Sequence, residues 1–244
     1  MRKSILYRML FYALGLLSLA LGLTLNTKTG LGASAIISVA YSFSEIFERN
    51  FGNVTLALYV VFVAAQMALH LMRAARYAKA EEGALAHAGR RDIKLVLLMD
   101  VLQIPLSIVF TRFLNVFSAL IPALYTEGGA AAENFPVRMA ALILAIIFTG
   151  IGAAMSLNMR VVPNPGDGIV QAIADMAGKG VGFTKNCFDL LNVTIAITLG
   201  MVFAGRLVGV GLGTIIAMFG VGRVIALFNH FAYRRMTELA GMEG

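Results

Sequence analysis

Pro163-Asn164-Pro165-Gly166-Asp167-Gly168 stands out in this 244-residue chain as a polar, helix-breaking run inside otherwise apolar sequence. The prolines lack backbone donors and disfavour helix before them. Gly166 and Gly168 tolerate tight geometry and let another group approach the main chain. Asp167 precedes a short apolar segment, 168–177, where a carboxylate can accept helix N–H bonds and meet the positive end of the dipole. Two chemistries fit equally: an N-cap at the membrane surface, or a carboxylate that contacts a solute, proton or cation at membrane depth.

A second break, Gly30-Leu31-Gly32-Ala33-Ser34, lacks the acid. Ser34 can cap the short helix after it. If the two breaks meet, Asn26, Ser34, Asn158, Asn164 and Asp167 could line one cavity, with Gly30 and Gly32 admitting a ligand to the backbone. Asp100 and Gln103, three apart, share a helix face, and Pro105 can kink that helix. Arg112 and Arg223 lie inside apolar runs, where a charge must face a cavity, find a partner or snorkel. Asp189, Asn192 and Gln66 are weaker candidates.

No enzyme signature is present. His70, His87 and His230 are scattered and placed near loops, and the single Cys187 rules out a cysteine metal cluster or an internal disulfide. There is no phosphate-binding Gly-x-x-x-x-Gly-Lys-Ser/Thr loop. The expectation is a protein with no catalytic residues, no metal and no cofactor.

The elements that hold these residues are membrane spans. The chain is 59% hydrophobic and 14% charged, with mean hydropathy +0.82, against about 25% charged residues in a soluble domain. Several apolar runs reach the roughly 20 residues that cross a bilayer. They do not alternate polar and apolar, so helices rather than a barrel satisfy the backbone. The net charge of +7 gathers at the ends of apolar runs, as in cytoplasmic loops, and leaves no polar domain for nucleic acid. The N-terminal apolar run is longer than a signal h-region and is read as an uncleaved first span.

Spans are expected at about 5–25, 54–72, 95–114, 138–157, 186–204 and 208–229. Short helices at 34–47 and 167–178 are too brief to cross easily. If these re-enter, the basic loop 73–94, the N-terminus and the tail 230–244 share one side with most Lys and Arg; if they cross, that asymmetry disappears. The positive-inside rule selects six spans with both termini cytoplasmic. The order of long, short, long, long elements occurs twice, with Leu25-Asn26 matching Leu157-Asn158. The halves 1–124 and 125–244 each hold an odd number of spans and are therefore inverted, a recurring plan in secondary transporters.

Pro163-Asn164-Pro165-Gly166-Asp167-Gly168-Ile169-Val170-Gln171, the first glycine-rich break, and Gly211-Leu212-Gly213-Thr214-Ile215-Ile216 with Gly220 resemble the YczE/YitT-type bacterial membrane proteins. The resemblance spans most of the chain, brings Gln171 into the candidate set, and implies a helical fold and a bacterial inner-membrane location more than an activity. The first break departs from the family pattern: Ala33-Ser34-Ala35 stand where a proline, an aromatic and an aspartate are common, so the resemblance implies one carboxylate, at Asp167, rather than a symmetric pair.

Together these features describe an all-α membrane protein of six spans and two short re-entrant or half-spanning helices. It would be a secondary transporter of a small solute, proton- or cation-coupled, working by alternating access around a midplane cavity. A homodimer is compatible with the sequence. The alternative is a non-transporting accessory protein that assists a partner enzyme or transporter through the basic surface 77–92.

Overall fold

The computed structural model describes residues 2–80, 86–125 and 134–242. It is helical, with no strand among the described residues. The elements are α1 (Arg2–Lys28), α2 (Ala35–Ile46), α3 (Phe51–Ala80), α4 (Ala86–Leu120), α5 (Phe135–Asn158), α6 (Pro165–Ala177), α7 (Val181–Leu199) with a π-helical turn Gly200–Ala204, and α8 (Leu212–Leu239). Six stretches are long and apolar enough to cross a membrane: Lys3–Lys28, Phe51–Arg76, Ile93–Leu120, Phe135–Asn158, Val181–Ala204 and Leu212–Leu239. Their outward residues, among them Val61, Leu98, Ile143, Val202 and Phe219, are large, apolar and exposed. A water-soluble surface would not carry so continuous an apolar covering; lipid does. The chain is a multi-pass membrane protein. The short helices α2 and α6 have 12 and 13 residues, so each is about 18–20 Å long, less than the roughly 30 Å hydrocarbon core.

Three boundaries differ from the sequence reading. First, α6 begins at Pro165, and its N-cap is Asn164, whose Oδ1 accepts the Gly166 N–H at 3.0 Å. Asp167 lies in the first turn instead of capping the helix. Proline at the first helical position is pre-set for the turn, which moves the start forward. Second, α8 begins at Leu212 rather than 208, because Gly205 and Gly209 take φ of +63° and +72° and keep the chain irregular there. It also continues past 229 to Leu239, helped by an Arg234–Glu238 pair at 2.8 Å, an i,i+4 contact on one face. Third, His70 and His230 lie within α3 and α8 rather than near loops. Residues 81–85 of the basic loop and the acidic stretch with Glu127 and Glu133 lie outside the described residues.

Two compact units are present: residues 1–55, 110–161 and 189–244 form one, and residues 56–109 and 162–188 the other. In the first, α1 and α5 run antiparallel at very short range. A Cβ on Gly22 would sit 2.5 Å from the Thr149 backbone N, and one on Gly15 2.8 Å from the Ser156 N. A Cβ on Gly152 would collide with the backbone N of Leu19. Only glycine allows helix backbones this close, which increases dispersion contact where lipid supplies no hydrophobic drive. Near the crossing, Ser18 Oγ donates to the Phe148 carbonyl at 2.9 Å, and the two residues are 130 positions apart.

The ends of this pair are fastened reciprocally. Arg8 donates from Nε and Nη2 to the Met159 and Arg160 carbonyls, both at 2.8 Å. Arg138 donates to the Thr29 and Gly30 carbonyls at 2.8 and 3.1 Å. Each arginine, near the start of one helix, thus satisfies carbonyls just past the end of the other, groups with no intrahelical partner.

Local conformation recurs at the same spacing. Gly30 and Arg160 both take left-handed φ, +64° and +48°, as do Glu48 and Gly178 at +50° and +62°. The N-caps Ser34 and Asn164 have φ/ψ of −61°/140° and −64°/141°. Past the short helices, Arg49 N–H donates to the Ser44 carbonyl at 2.9 Å and Lys179 N–H to the Ala174 carbonyl at 3.0 Å.

The first break is closed by main-chain pairing. Ala33 N–H donates to the Gly209 carbonyl at 2.8 Å, and Gly213 N–H to the Leu31 carbonyl at 2.7 Å. Gly32, at φ +112°, passes so near Thr214 that a Cβ would stand 2.5 Å from its Oγ1.

Replacing Gly152 by Val should therefore lower stability by about 1–3 kcal/mol through overpacking. Gly222→Ala, where an added Cβ meets nothing within 4 Å, should leave stability unchanged or slightly raised. Thermal unfolding of the detergent-solubilised variants by circular dichroism distinguishes the two.

Candidate functional site

The second unit gathers the polar side chains that the sequence scatters. On α3, Tyr59, Gln66, His70 and Arg73 recur at helical spacing along one face; Tyr59 and Gln66 are fully buried. On α4, Asp100, Gln103 and Ser107 form the inward face, while Leu98, Val101 and Leu102 point outward and are exposed. Polar inside and apolar outside is the arrangement a helix adopts when its outer solvent is lipid.

These faces meet around Asp100, which is 4% exposed. Its Oδ1 accepts the Gln66 Nε2 at 2.8 Å, and its Oδ2 lies 2.8 Å from His70 Nδ1. A buried carboxylate is tolerable only with such partners. One turn along α4, Ser107 Oγ returns a hydrogen bond to the Gln103 carbonyl at 2.6 Å. At the outer end of the α3 face, Arg73 pairs with Asp175 of α6 at 2.8 Å, and Gln171 donates to the other Asp175 oxygen at 2.8 Å.

The start of α6 closes the cluster. Asn164, besides capping the helix, hydrogen-bonds the Tyr59 hydroxyl, and the half-buried Asp167 is electrostatically felt by that same hydroxyl. Gly168 rests directly on the glutamines. A Cβ there would strike Gln66 Oε1 and come within 3.2 Å of Gln103 Nε2 and Oε1. Both Oε1 atoms are buried and have no hydrogen-bond donor among the described residues. A buried orphan acceptor costs about 1–3 kcal/mol, so this pair is a demand for a donor or a cation.

Of the sequence candidates, Asn164, Gly166, Asp167, Gly168, Gln171, Asp100 and Gln103 belong to this unit. The other seven belong to the first unit. Gly30 and Gly32 line a cavity of about 1200 Å³ together with Glu45, Arg49, Arg138 and Arg206. Asn26 is buried with its Oδ1 unpartnered among the described residues. Ser34 sits at the N-cap of α2, yet its side chain makes no capping bond. Asn158 donates to Asn229 Oδ1 at 2.7 Å. Arg112 is exposed and donates to Asn53 at 2.8 Å, and Arg223 is exposed on α8; neither enters a polar cluster. Asp189 and Asn192 are buried.

The structure brings Tyr59, His70, Arg73, Asp175 and the weaker candidate Gln66 into this cluster. The signal for Tyr59, Gln66, His70 and Arg73 was their shared helical period on α3; Asp175 lies on α6, one turn past Gln171. No group of three or more His, Cys, Asp or Glu able to hold a metal occurs among the described residues. The basic surface 77–92, on which the accessory reading rests, has no described side chains.

Six apolar spans with inward polar faces define a polytopic α-helical membrane protein. The chain belongs to the family DUF6198, a family of unknown function, whose profile matches residues 6–230. No curated protein and no solved structure matches it.

The cluster makes a sharp energetic prediction. Asp100→Ala strands Gln66 Nε2 and His70 and should cost roughly 3 kcal/mol. The apolar triple replacement Gln66→Leu, His70→Phe, Asp100→Leu should recover most of that loss. Reversible unfolding in mixed micelles, followed by circular dichroism, measures both.

Proposed function

We propose that the protein is a small secondary transporter of the bacterial inner membrane, moving a small solute by alternating access with a proton or cation as driver. The observation that carries this reading is the buried Asp100–Gln66–His70 network, set inside two spans and against the broken start of α6. Intramembrane ionisable groups are costly, and where they persist they mark solute and proton pathways. Structural stabilisation alone does not require His70 or two unpartnered amide oxygens.

The reading includes two inverted halves, residues 1–124 and 125–244, each of three spans and one half-spanning helix, with both termini cytoplasmic. Support comes from the reciprocal arginines at the ends of α1 and α5, from Gly22 and Gly152 in matching contacts, and from the matched N-caps of α2 and α6, all keeping the 130-residue spacing of Ser18 and Phe148. Discontinuous helices that point positive N-terminal ends at a bound group belong to the same plan. Asp100 is the central carboxylate in this scheme, and Asp167 is a contact at the helix start.

Proteoliposomes enclosing a pH-sensitive dye, challenged with a panel of amines, amino acids and alkali salts, test this reading. At least one compound should drive a solute-dependent pH change or accumulate above empty vesicles, and Asp100→Asn should slow it at least about tenfold. Flux equal to empty vesicles across the panel, or full activity in Asp100→Asn, would contradict it.

A further inference from the structure

The two unpartnered glutamine oxygens specify what should bind beside Asp100. We infer that Gln66 Oε1, Gln103 Oε1 and the Asp100 carboxylate form a site for one dehydrated monovalent cation of the alkali series, with sodium as its probe.

The donor set points to a cation. Gln66 and Gln103 are 0% and 1% exposed, and their Oε1 atoms meet no donor among the described residues. Asp100 has used one lone pair on each oxygen, toward Gln66 and His70, and an ionised carboxylate has about four such sites. The available atoms are therefore hard oxygens, which suit alkali and alkaline-earth ions rather than softer metals.

Charge selects a single positive unit. Within this cluster Arg73 and Asp175 neutralise one another at 2.8 Å, leaving Asp100 as the carboxylate bonded to Gln66. A divalent ion would leave surplus charge in a dry, low-dielectric setting, which is unfavourable.

Size selects a bare ion over an organic amine. Gly168 stands so close that a single methyl group would hit Gln66 Oε1 and reach Gln103 at 3.2 Å. Gly168 is thus a positioning element: any side chain there would push against both glutamines.

The assignment of this cation as the coupling ion rests on the transporter reading, whereas its binding does not. The test uses purified full-length protein in detergent, with radiolabelled sodium in a scintillation-proximity format. Binding should saturate, yield to unlabelled sodium chloride, and resist choline and methylammonium chloride at equal ionic strength. Gln103→Leu and Gly168→Ala should each weaken it at least about tenfold, with helix content checked by circular dichroism. Either variant alone suffices if the other does not fold. Absence of saturable sodium binding to folded wild-type protein, undiminished affinity in both variants, or displacement by methylammonium as strong as by sodium would overturn the inference. Sodium bound but not carried in proteoliposomes would defeat the transporter reading and leave the site standing. Sodium flux indifferent to Gln103 and Gly168 would do the reverse.

Discussion

A helix that stops within a membrane protein leaves its last carbonyls without partners, and lipid offers no water to satisfy them. The rest of this structure depends on how that constraint is met after α1 and α5. Each terminus receives an arginine from the start of the other helix, Arg138 on Thr29 and Gly30, Arg8 on Met159 and Arg160. The guanidinium suits this task, since its planar fork can serve two carbonyls at once. Antiparallel alignment follows, because only then do start and end coincide. Close approach of Gly15, Gly22 and Gly152 supplies the packing. With the ends fixed, the chain can leave the helix at each break without stranding backbone groups. At the first break the remaining main-chain groups of Leu31 and Ala33 are taken up by Gly213 and Gly209.

The second unit solves a different problem, that of holding polar side chains inside apolar spans. Its α3 and α4 turn glutamine, aspartate and histidine inward and leave aliphatic residues outward, the reverse of a soluble amphipathic helix. Most of these polar atoms are paired, and the pairing centres on Asp100. The exceptions, one oxygen on each of two glutamines, converge on Gly168. Three further unpartnered atoms, Thr24 Oγ1, Asn26 Oδ1 and Thr149 Oγ1, lie in the first unit. The convergence of the two glutamine oxygens beside a carboxylate and a glycine with no room for a methyl group is what turns a structural core into a candidate ion site.

The membrane spans were legible because hydropathy over 20 residues depends on composition, not on detail. The short helices were legible because Pro163, Pro165 and the glycines of the first break punctuate the apolar runs. Three other features were hidden for physical reasons. Asp167 looked like the cap of α6, but Pro165 starts the helix two residues earlier and Asn164 takes the cap. Matching Leu25-Asn26 to Leu157-Asn158 misses by two residues the spacing of the α1–α5 hydrogen bonds, because few identities mark it, among them Arg8 and Arg138, Met9 and Met139, Gly22 and Gly152, and Gly52 and Gly182. Arg8 and Arg138 themselves read as loop charges, since a cation at a helix start gives no hint of a distant helix end. Of the candidate site, Asp100, Gln103 and the 164–168 segment were identified, while His70 and Tyr59 needed the period of α3 to be followed from its apolar start.

The central claim is the register of the α1–α5 pair, and disulfide trapping reads it directly. In a Cys187→Ser background, cysteines replacing Ser18 and Phe148 should cross-link on mild oxidation in native membranes, seen as protection from a mass-tagging maleimide, because Ser18 Oγ reaches the Phe148 carbonyl at 2.9 Å. A pair at Ser18 and Ser156, two turns away along α5, should remain reactive. Trapping at the distant pair, or persistent labelling of both cysteines at the close one, would contradict the account.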